Sequence, residues 1–551
     1  LVREKVDWVG AAGSSLLRKA VGCWRDDSDL WFEHAYDRLP ETVRVNPLSP
    51  NSEWVESWLE SIGCTPISWF NGVGSAWEMP FDRGKAEGET KKLLAALHVT
   101  GRLTRQEAVS MLPVIALDAQ PGEVTLDMCA SPGSKTTQIA EHLDDLGVVV
   151  ANEVVRGRVN LLVSNLQRHR SQTAIVVNHD ARHFPNVPES GYDRILVDAP
   201  CTGSGTTRKN PDVWRRWKPN SGRSMQKLQV DILDRAVKLT KPGGRIVYST
   251  CSLDPLENEA VVAEILRRFP YLSLSSAHHV IPNLIASEGF RDWPILDDDG
   301  SIIENEEVRE SFLPPTEEKI AEQLSLCMRV WNDQSQGGGF FLAVIEKSDA
   351  FPKKKIEVQE TLSSEDSPSD KDTAPQPINE NQSEMLSQHI GNVPDNLWVR
   401  GRKVLWATPE ANMIWSSERS RRGGRTRIPG QRWRPLSVVH LGQEVAHLRK
   451  GEFERIVGSA AGKLAETIEM GVVEVSAECI DSLLAGDEPT PEEISSEMSQ
   501  IRGNLLLRDT SDGTTIPVWI GGRVTLMLRT SEHIVLCALR GVIFPSKSEE
   551  E

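Results

Sequence analysis

The regular alternation of strand-like and helix-like segments between residues 121 and 347 constrains the fold more than any other feature. Strand-like apolar runs lie at 123–130, 147–153, 173–180, 192–200, 244–252 and 337–347, and helix-like runs at 135–143, 158–169 and 225–239. Strands that alternate with helices form βαβ units, in which a parallel sheet is covered on both faces. We therefore predict an α/β domain with one parallel sheet, from about residue 116 to 350.

Polar residues occupy the ends of the predicted strands: Asp127, Glu153, Asp180, Asp198 and Cys251. In open α/β sheets, ligands bind outside the carboxyl ends of the strands. Polar residues in five equivalent positions therefore predict one shared site.

The region before this domain has mixed character. Since an average domain has about 150 residues, a chain of 551 residues is expected to form roughly three or four domains. Residues 1–115 contain a predicted strand at 42–45 and a predicted helix around 54–59. A further helix is predicted over 100–117, where Pro113 interrupts or ends it.

Two further regions follow the predicted sheet. Residues 351–387 are poor in aromatics and rich in Ser, Pro, Asp and Glu, which predicts a flexible acidic linker. Residues 388–551 predict a small β-rich domain. Its strand-like runs lie at 436–441, 515–521, 523–529 and 533–544.

Three segments of the predicted sheet carry chemistry: 126–138, 198–214 and 248–259. The first is a Gly/Ser loop between a strand and a helix, where backbone N–H groups can approach a ligand, although an ordinary βα turn explains it equally well. The other two place Cys201 and Cys251 just past strand ends. One such cysteine is more often a small buried apolar residue, but two beside Asp198 indicate a reactive site.

These residues form recognisable motifs. Cys-x-x-Pro-Gly-x-Lys at 129–135, Asp-Ala-Pro-Cys-Thr-Gly-x-Gly at 198–205 and Ser-Thr-Cys-Ser at 249–252 resemble the Sun-family RNA cytosine-5 methyltransferases. Segments such as RQEAVSMLP, RKNPDVW, STCSLDPLENEA and GGGFF are similar to the eukaryotic-type tRNA branch of that family. The resemblance runs in the same order over roughly residues 35 to 347.

The resemblance implies a Rossmann-like, S-adenosylmethionine-dependent methyltransferase fold. It implies methylation of carbon 5 of cytosine in RNA, with tRNA as the expected substrate and rRNA as an alternative. It also implies an N-terminal α+β RNA-recognition region at 1–115. The C-terminal region at 388–551 is similar only loosely to the PUA-like RNA-binding module of this branch.

The resemblance also assigns catalytic roles. Carbon 5 of cytosine is a poor nucleophile, and a thiolate that adds to carbon 6 makes it reactive. In the family this thiolate is the Ser-Thr-Cys cysteine, here Cys251, and the Pro-Cys cysteine, here Cys201, aids product release. Asp198 would bond the ring N3 or the exocyclic amine, and Lys135 would approach the catalytic centre.

Cofactor contacts are implied in the same way. The methionine part would lie on the loop formed by Cys129, Ala130, Ser131, Pro132, Gly133, Ser134 and Lys135. Glu153 suits the ribose hydroxyls, as the acid of dinucleotide sites does, and Arg158 lies one turn on. Asp180 would lie near the adenine and Asp198 near the methionine end. A helix N-cap role for Glu153 and a loop-cap role for Asp180 are the alternatives.

Two positions depart from the family pattern. Ser131 stands where Ala is commoner, a small change from which we expect no loss. Ser204 stands where the tRNA branch often has Asp, which leaves the catalytic groups intact but weakens the inference about which RNA is bound.

RNA binding requires an unpaired or flipped-out base and cations for the phosphates. Arg208 and Lys209 flank the active-site loop and are candidates for phosphate contacts. A second basic stretch, 400–434, is interleaved with Trp398, Trp406, Trp415 and Trp433, and stands out in a chain of net charge −17. We expect RNA contact there. The alternative is a solvated loop with tryptophans in the core.

Other functions fit less well. A DNA cytosine methyltransferase uses the Pro-Cys cysteine and needs no Ser-Thr-Cys motif, and a small-molecule methyltransferase needs neither two cysteines nor a basic appended region. A catalytically idle RNA-binding scaffold would not need Lys135, Asp198, Cys201 and Cys251 together.

The remaining expectations come from what the sequence lacks. Cysteines are scattered without a CxxC pair, so we expect no metal site and free thiols in an intracellular compartment. That compartment is the cytoplasm in a prokaryote or archaeon and the nucleus in a eukaryote. Absence of an apolar run of 18 residues predicts no membrane span. We expect a monomer. Because the sequence begins at Leu1, residues can be missing upstream.

Overall fold

A computed structural model describes residues 7–304, 308–335, 337–350, 374–422 and 436–545. Residues 351–373 of the predicted linker lie outside these ranges. So do Trp433 and several arginines of the predicted basic stretch: Arg425, Arg427, Arg432 and Arg434.

The N-terminal region combines helices with an antiparallel sheet of order β2-β3-β1-β4. Its elements are α1 (Trp8–Gly13), α2 (Leu16–Trp24), α3 (Ser28–His34), β1 (Pro40–Val45), α4 (Ser52–Ser61), β2 (Thr65–Pro66), β3 (Ser75–Asp82), α5 (Gly88–Val99), β4 (Leu103–Arg105) and α6 (Leu112–Leu117). The predicted helix over 100–117 is wrong in its first half, which is strand β4 and a 3-10 turn. Pro113 lies in the first turn of α6. The N–H groups of a first turn have no acceptor within the helix, so the missing N–H of proline costs no hydrogen bond there.

The central region contains the predicted α/β domain. Its elements are β5 (Val124–Asp127), α7 (Ser134–His142), β6 (Val148–Asn152), α8 (Arg156–His169), β7 (Ala174–Val177), β8 (Tyr192–Asp198), α9 (Val213–Arg216), α10 (Pro219–Leu239), β9 (Thr240–Thr250), α11 (Glu259–Arg268), β10 (Leu272–Ser275), α12 (Ala277–Val280), β11 (Ser287–Glu288), α13 (Glu318–Leu324), β12 (Met328–Val330) and β13 (Phe340–Lys347). Short 3-10 turns at Ala181–His183, Ser204–Thr206, Pro255–Glu257 and Glu310–Phe312 connect them.

The central sheet has the order β11-β12-β13-β9-β8-β5-β6-β7. Strands β9, β8, β5, β6 and β7 are parallel, which confirms the predicted α/β class, and β13 is antiparallel to β9. Both faces are buried: Val148 and Val150 of β6 lie in one apolar core, and Val149 and Ala151 lie in another. The chain runs outward from β5 to β6 and β7 and then returns to β8. The switch in strand order therefore lies between β5 and β8, where such sheets bind ligands.

The C-terminal region is mixed rather than β-rich in its described part. Its elements are β14 (Gln376–Pro377), α14 (Glu380–Ile390), β15 (Leu397–Arg400), β16 (Lys403–Trp406), α15 (Pro409–Arg422), β17 (Val438–Leu441), β18 (Gln443–Arg449), β19 (Glu452–Ile456), α16 (Ala461–Ala465), β20 (Val472–Val475), α17 (Ala477–Ala485), α18 (Pro491–Ile494), β21 (Gly503–Asp509), β22 (Thr515–Ile520), β23 (Val524–Leu526) and α19 (Thr530–Arg540). They form one sheet of order β14-β15-β16-β18-β19 and another of order β20-β21-β22-β23. Further 3-10 turns lie at Gly458–Ala460 and Ser496–Gln500.

Two sequence predictions for this region are wrong. The run 533–544, predicted as a strand, belongs mainly to α19, because Val535 packs into the N-terminal core beside Leu94 and Leu97 of α5. A short apolar run does not by itself distinguish a strand from a buried helix. The predicted linker is wrong for 374–387, where β14 and the first turns of α14 form and Leu386 is buried.

The C-terminal region is integrated with the central sheet. Strand β17 pairs antiparallel with β7 and extends the sheet at that edge. Trp415 of α15 is fully buried in the same core as the sheet residues. The central sheet therefore includes a strand at 438–441, beyond the predicted domain end near residue 350.

Two buried charge clusters join the regions. Arg44 of β1 donates to both carboxylate oxygens of Glu141 on α7, at 2.5 and 2.9 Å, and His169 contacts Glu141 at 2.9 Å. Glu532 of α19 pairs with Arg102 and with Arg170, each at 2.6 Å. Each cluster links chain segments that are distant in sequence.

Candidate active site

The centre of the site is an ion pair at the switch between β5 and β8. Lys135, on the first turn of α7, donates to Asp198 at the end of β8, with 2.8 Å between Nζ and Oδ2. The Ser249 hydroxyl donates to the other carboxylate oxygen at 2.9 Å. Burial opposes the charge of Lys135, but the attraction and hydrogen bond of Asp198 outweigh it and raise the pKa of the ammonium.

Two free thiols lie beside this pair. Cys251 follows β9 and Cys201 follows β8, and their Sγ atoms are 3.3 Å apart. The hydrogen bond to Cys251, together with burial, raises the pKa of Cys201 well above its ordinary value. Either thiol can donate the hydrogen bond that joins the two sulfurs.

Loop 129–135 connects β5 to α7 at the same edge. Ser131 and Arg158 of α8 hold each other through main-chain carbonyls: Arg158 donates to Ser131 O at 2.7 Å, and Ser131 Oγ donates to Arg158 O at 3.3 Å. Asn165 of α8 donates to Pro132 O at 2.6 Å. The loop is thus fixed by α8, and the serine at 131 contributes a hydrogen bond.

The other predicted cofactor residues lie at the ends of β6 and β7. Glu153 is buried after β6, with Oε1 accepting from Val155 N at 2.7 Å and Oε2 lying 3.5 Å from Arg158. Asp180 caps the turn after β7 and pairs with Arg182 at 2.6 Å; the pairing with Arg182 lowers the pKa of Asp180. The loop-cap role considered for Asp180 is therefore present. Glu153 is not the N-cap of α8, since that residue is Val155, although Glu153 accepts a hydrogen bond from the Val155 backbone.

The sequence placed Asp127 at the shared site but assigned it no catalytic or cofactor contact. Its carboxyl group is buried at the end of β5 and accepts from Thr136 at 2.7 Å. Burial raises its pKa to about 7. The position of Asp127 at a strand end was the sequence feature that indicated its place in the site.

Comparison with known proteins places this site in a family. The family described as 16S rRNA methyltransferase RsmB/F matches residues 114–346. The tRNA (cytosine(49)-C(5))-methyltransferase of Pyrococcus abyssi is 38% identical over 244 residues, which are 44% of this chain and 76% of that protein. The chain belongs to the RsmB/F methyltransferase family.

Two further proteins are similar to this chain. The multisite-specific tRNA:(cytosine-C(5))-methyltransferase of Saccharomyces cerevisiae is 42% identical over 285 residues, covering 47% of this chain and 41% of that protein. The crystal structure of a methyltransferase homolog from Pyrococcus horikoshii is 28% identical, covers 63% of this chain and 100% of that chain, and has a TM-score of 0.47. The chain thus spans less than half the length of the yeast relative.

The two active-site cations that were predicted to contact RNA have partners within the protein, and their contact with RNA stays a prediction. Arg208 donates to the carbonyls of Asp37, Arg38 and Gly337 at 3.0–3.1 Å, so it fastens the N-terminal segment to the active-site loop of this RsmB/F member. Lys209 lies 3.5 Å from Glu107.

In the basic stretch, Trp398 and Trp415 are buried, and Trp406 packs against a core. Trp398 and Trp415 therefore fit the alternative of tryptophans in the core, whereas Trp406 is only partly buried. Within the described ranges, no helix is long and apolar enough to cross a membrane, and no group of three or more His, Cys, Asp or Glu residues could hold a metal ion.

Proposed function

We propose that this chain transfers a methyl group from S-adenosylmethionine to carbon 5 of cytosine in RNA, with tRNA as the substrate class. The observation that carries the proposal is the pair of free thiols, 3.3 Å apart, beside the Lys135–Asp198 ion pair at the switch point of the sheet. Two relatives named as tRNA cytosine-C5 methyltransferases support the choice of RNA and base.

The chemistry of the site residues fits the cofactor. Carboxylates at the ends of β5, β6 and β8 suit a ligand with a sulfonium, an ammonium and ribose hydroxyls. The N-terminus of α7 suits its carboxylate. We assign loop 129–135, Glu153, Arg158, Asp180 and Asp198 to cofactor binding. S-adenosylmethionine, when bound, supplies an electrophilic methyl group.

The protein groups act on the cytosine. The Cys251 thiolate forms a bond to carbon 6, which makes carbon 5 nucleophilic toward the methyl group. Asp198, held by Lys135 and Ser249, lies where it can bond the base edge and keep the ring oriented. Water is restricted by the burial of this cluster, which strengthens these charge interactions.

Cys201 completes the cycle. Once the Cys201 thiol has lost its proton to water, its thiolate takes the proton from carbon 5. The electrons of the carbon–hydrogen bond form the double bond between carbons 5 and 6, and the electrons of the carbon–sulfur bond return to Cys251 as a thiolate. Without Cys201, the RNA–protein bond should persist.

We place RNA binding outside the central sheet, on the N-terminal region 1–115 and on the C-terminal region, which we propose is PUA-like in its strand-forming part. We propose the PUA-like RNA-binding role for residues 388–551, although their described part contains helices as well as strands. An RNA substrate of this class implies an intracellular enzyme. A second substrate candidate is rRNA, because the matching family is described by its 16S rRNA activity.

Covalent trapping tests the proposal. Full-length wild type, Cys201→Ala, Cys251→Ala and the double variant are incubated with bulk tRNA and S-adenosylmethionine and run on denaturing gels. We expect an RNA-linked band with Cys201→Ala alone, lost when Cys251 is also replaced. Cys479→Ala is the control, because Cys479 is a free, partly buried cysteine on the distant helix α17.

Other outcomes contradict specific parts. A band with Cys251→Ala and none with Cys201→Ala reverses the two cysteine roles. Methyl transfer to rRNA fragments but not to tRNA selects the second substrate. No transfer to either RNA by the wild type, with no trapped band, rejects the enzymatic proposal.

A further inference from the structure

A fully buried carboxylate joins the two cysteine loops. Glu257 lies in the 3-10 turn after Cys251 and has no exposed surface. It accepts a hydrogen bond from Thr202 N at 2.8 Å and another from the Thr202 hydroxyl, and Ser252 Oγ donates to it at 2.6 Å. Thr202 directly follows Cys201, and Ser252 directly follows Cys251. One carboxylate therefore binds the residue next to each thiol.

The long helix α10 supports the same carboxylate. Gln229 Nε2 lies 3.0 Å from Glu257 and 3.0 Å from the carbonyl of Pro200, the residue just before Cys201. Hence the Cys201 loop is held on both sides of the thiol, and Glu257 takes part in the attachment on one side.

Further contacts link the loops at one side of this bridge. Ser204 Oγ lies 3.0 Å from Ser252 Oγ and accepts from Leu253 N at 2.7 Å, and Gly205 N donates to Cys251 O at 2.9 Å. The serine that departs from the family pattern at 204 is therefore a buried loop contact. The groups in these hydrogen bonds are neutral, whereas Glu257, which also links the two cysteine loops, is ionisable.

Burial of a carboxyl group costs free energy unless hydrogen bonds or a counter-charge replace its lost hydration. Burial raises the pKa of Glu257, although Ser252, Thr202 and Gln229 oppose the shift through their hydrogen bonds. Its two oxygens accept from four donors on three chain segments. An amide has one acceptor oxygen, so it cannot replace all four bonds.

We propose that Glu257 is a positioning residue that sets the separation of the Cys201 and Cys251 sulfurs. A fixed separation matters for the step in which Cys201 accepts the carbon 5 proton while Cys251 leaves, so this role rests on the proposed function. Glu257 contacts neither sulfur directly in the described hydrogen bonds and acts through Thr202 and Ser252.

The first test measures the separation without RNA. Full-length protein is treated with diamide, a diazene that takes up two electrons and two protons as two thiols form a disulfide. The Cys201–Cys251 disulfide is then followed by peptide mass spectrometry. We expect Glu257→Gln to slow its formation at least about fivefold, the size of effect that one net hydrogen bond produces.

Glu264→Gln is the matched control, since it makes the same chemical change on α11, where Glu264 pairs with Arg267 and Arg268. It should oxidise like the wild type. Thr202→Val is the milder second variant, which removes one hydroxyl bond and keeps the backbone one, and it should slow oxidation less. Wild-type rates in both Glu257→Gln and Thr202→Val would overturn the proposal.

The second test uses turnover on tRNA. Glu257→Gln should lower kcat with little change in KM for RNA or cofactor, and should accumulate the RNA-linked band in a chain that still has Cys201. Raised KM without a band would show a general structural role and overturn the proposal. Should the wild type prove inactive on RNA, the proposed function fails, while the diamide rates still decide the role of Glu257.

Discussion

Removing Arg44 should destabilise the protein strongly, because it leaves the Glu141 carboxylate buried without its main partner. Arg44 and Glu141 have no exposed side-chain surface, and the loss of one member of such a pair costs about 3–5 kcal/mol. His169 still contacts Glu141 at 2.9 Å, so we expect Arg44→Met to lie near the lower limit, about 3 kcal/mol. That corresponds to a fall in Tm of about 6–12 °C for a cooperative unit of 150–250 residues.

Calorimetry on Arg44→Met, Glu141→Met and the double variant measures the change in Tm and in the free energy of unfolding. Replacement of both charges by apolar groups removes the unpaired ion, so the double variant should be more stable than the sum of the single changes predicts, by about 2 kcal/mol or more. Arg44 attraction lowers the pKa of Glu141 against the opposing effect of burial. The pair therefore stabilises the folded protein at pH values above the ordinary glutamate pKa. This stabilisation is lost as pH falls through the lowered pKa of Glu141. Additive single and double effects would refute the reasoning.

Two further substitutions follow from the packing. Gly205→Ala should destabilise by about 1–3 kcal/mol and reduce methylation, because its Cβ would lie 2.3 Å from the Gly339 carbonyl oxygen; an unchanged Tm would contradict this. Glu532→Gln should lower Tm at pH 7, since Arg102 and Arg170 lose their counter-charge. Burial opposes ionisation of Glu532, but the two arginines hold its pKa at about 2. The stabilisation that this cluster gives the wild type is therefore present above pH 4.5 and lost as pH falls toward 2. Thermal scans at pH 3, 5 and 7 should show a Tm that changes less with pH in the variant than in the wild type.

The sequence was sufficient for the sheet and its ligand edge because the relevant signals are local. Period and length predict each parallel strand, and one polar residue ends each strand. The structure brings Lys135 to Asp198 and Cys201 to Cys251, as the motifs suggested. Their catalytic roles stay predictions until the trapping experiment is done.

The remaining features depend on contacts between distant segments. Glu257 lies on a turn rather than at a strand end, and its burial results from Thr202 and Gln229, which no local pattern connects to it. Trp398 and Trp415 stand in a basic stretch, yet they are buried in the core. The strand-like run in α19 becomes a helix because α5 covers its apolar side.

Strand β17 has a consequence for how the protein is made. Its partner β7 ends at Val177, but β17 begins only at Val438, so a growing chain exposes the β7 edge until the later segment leaves the ribosome. An uncovered strand edge can pair with other chains. Production of the catalytic region alone, ending near residue 350, should therefore yield aggregates that a separately supplied C-terminal segment reduces.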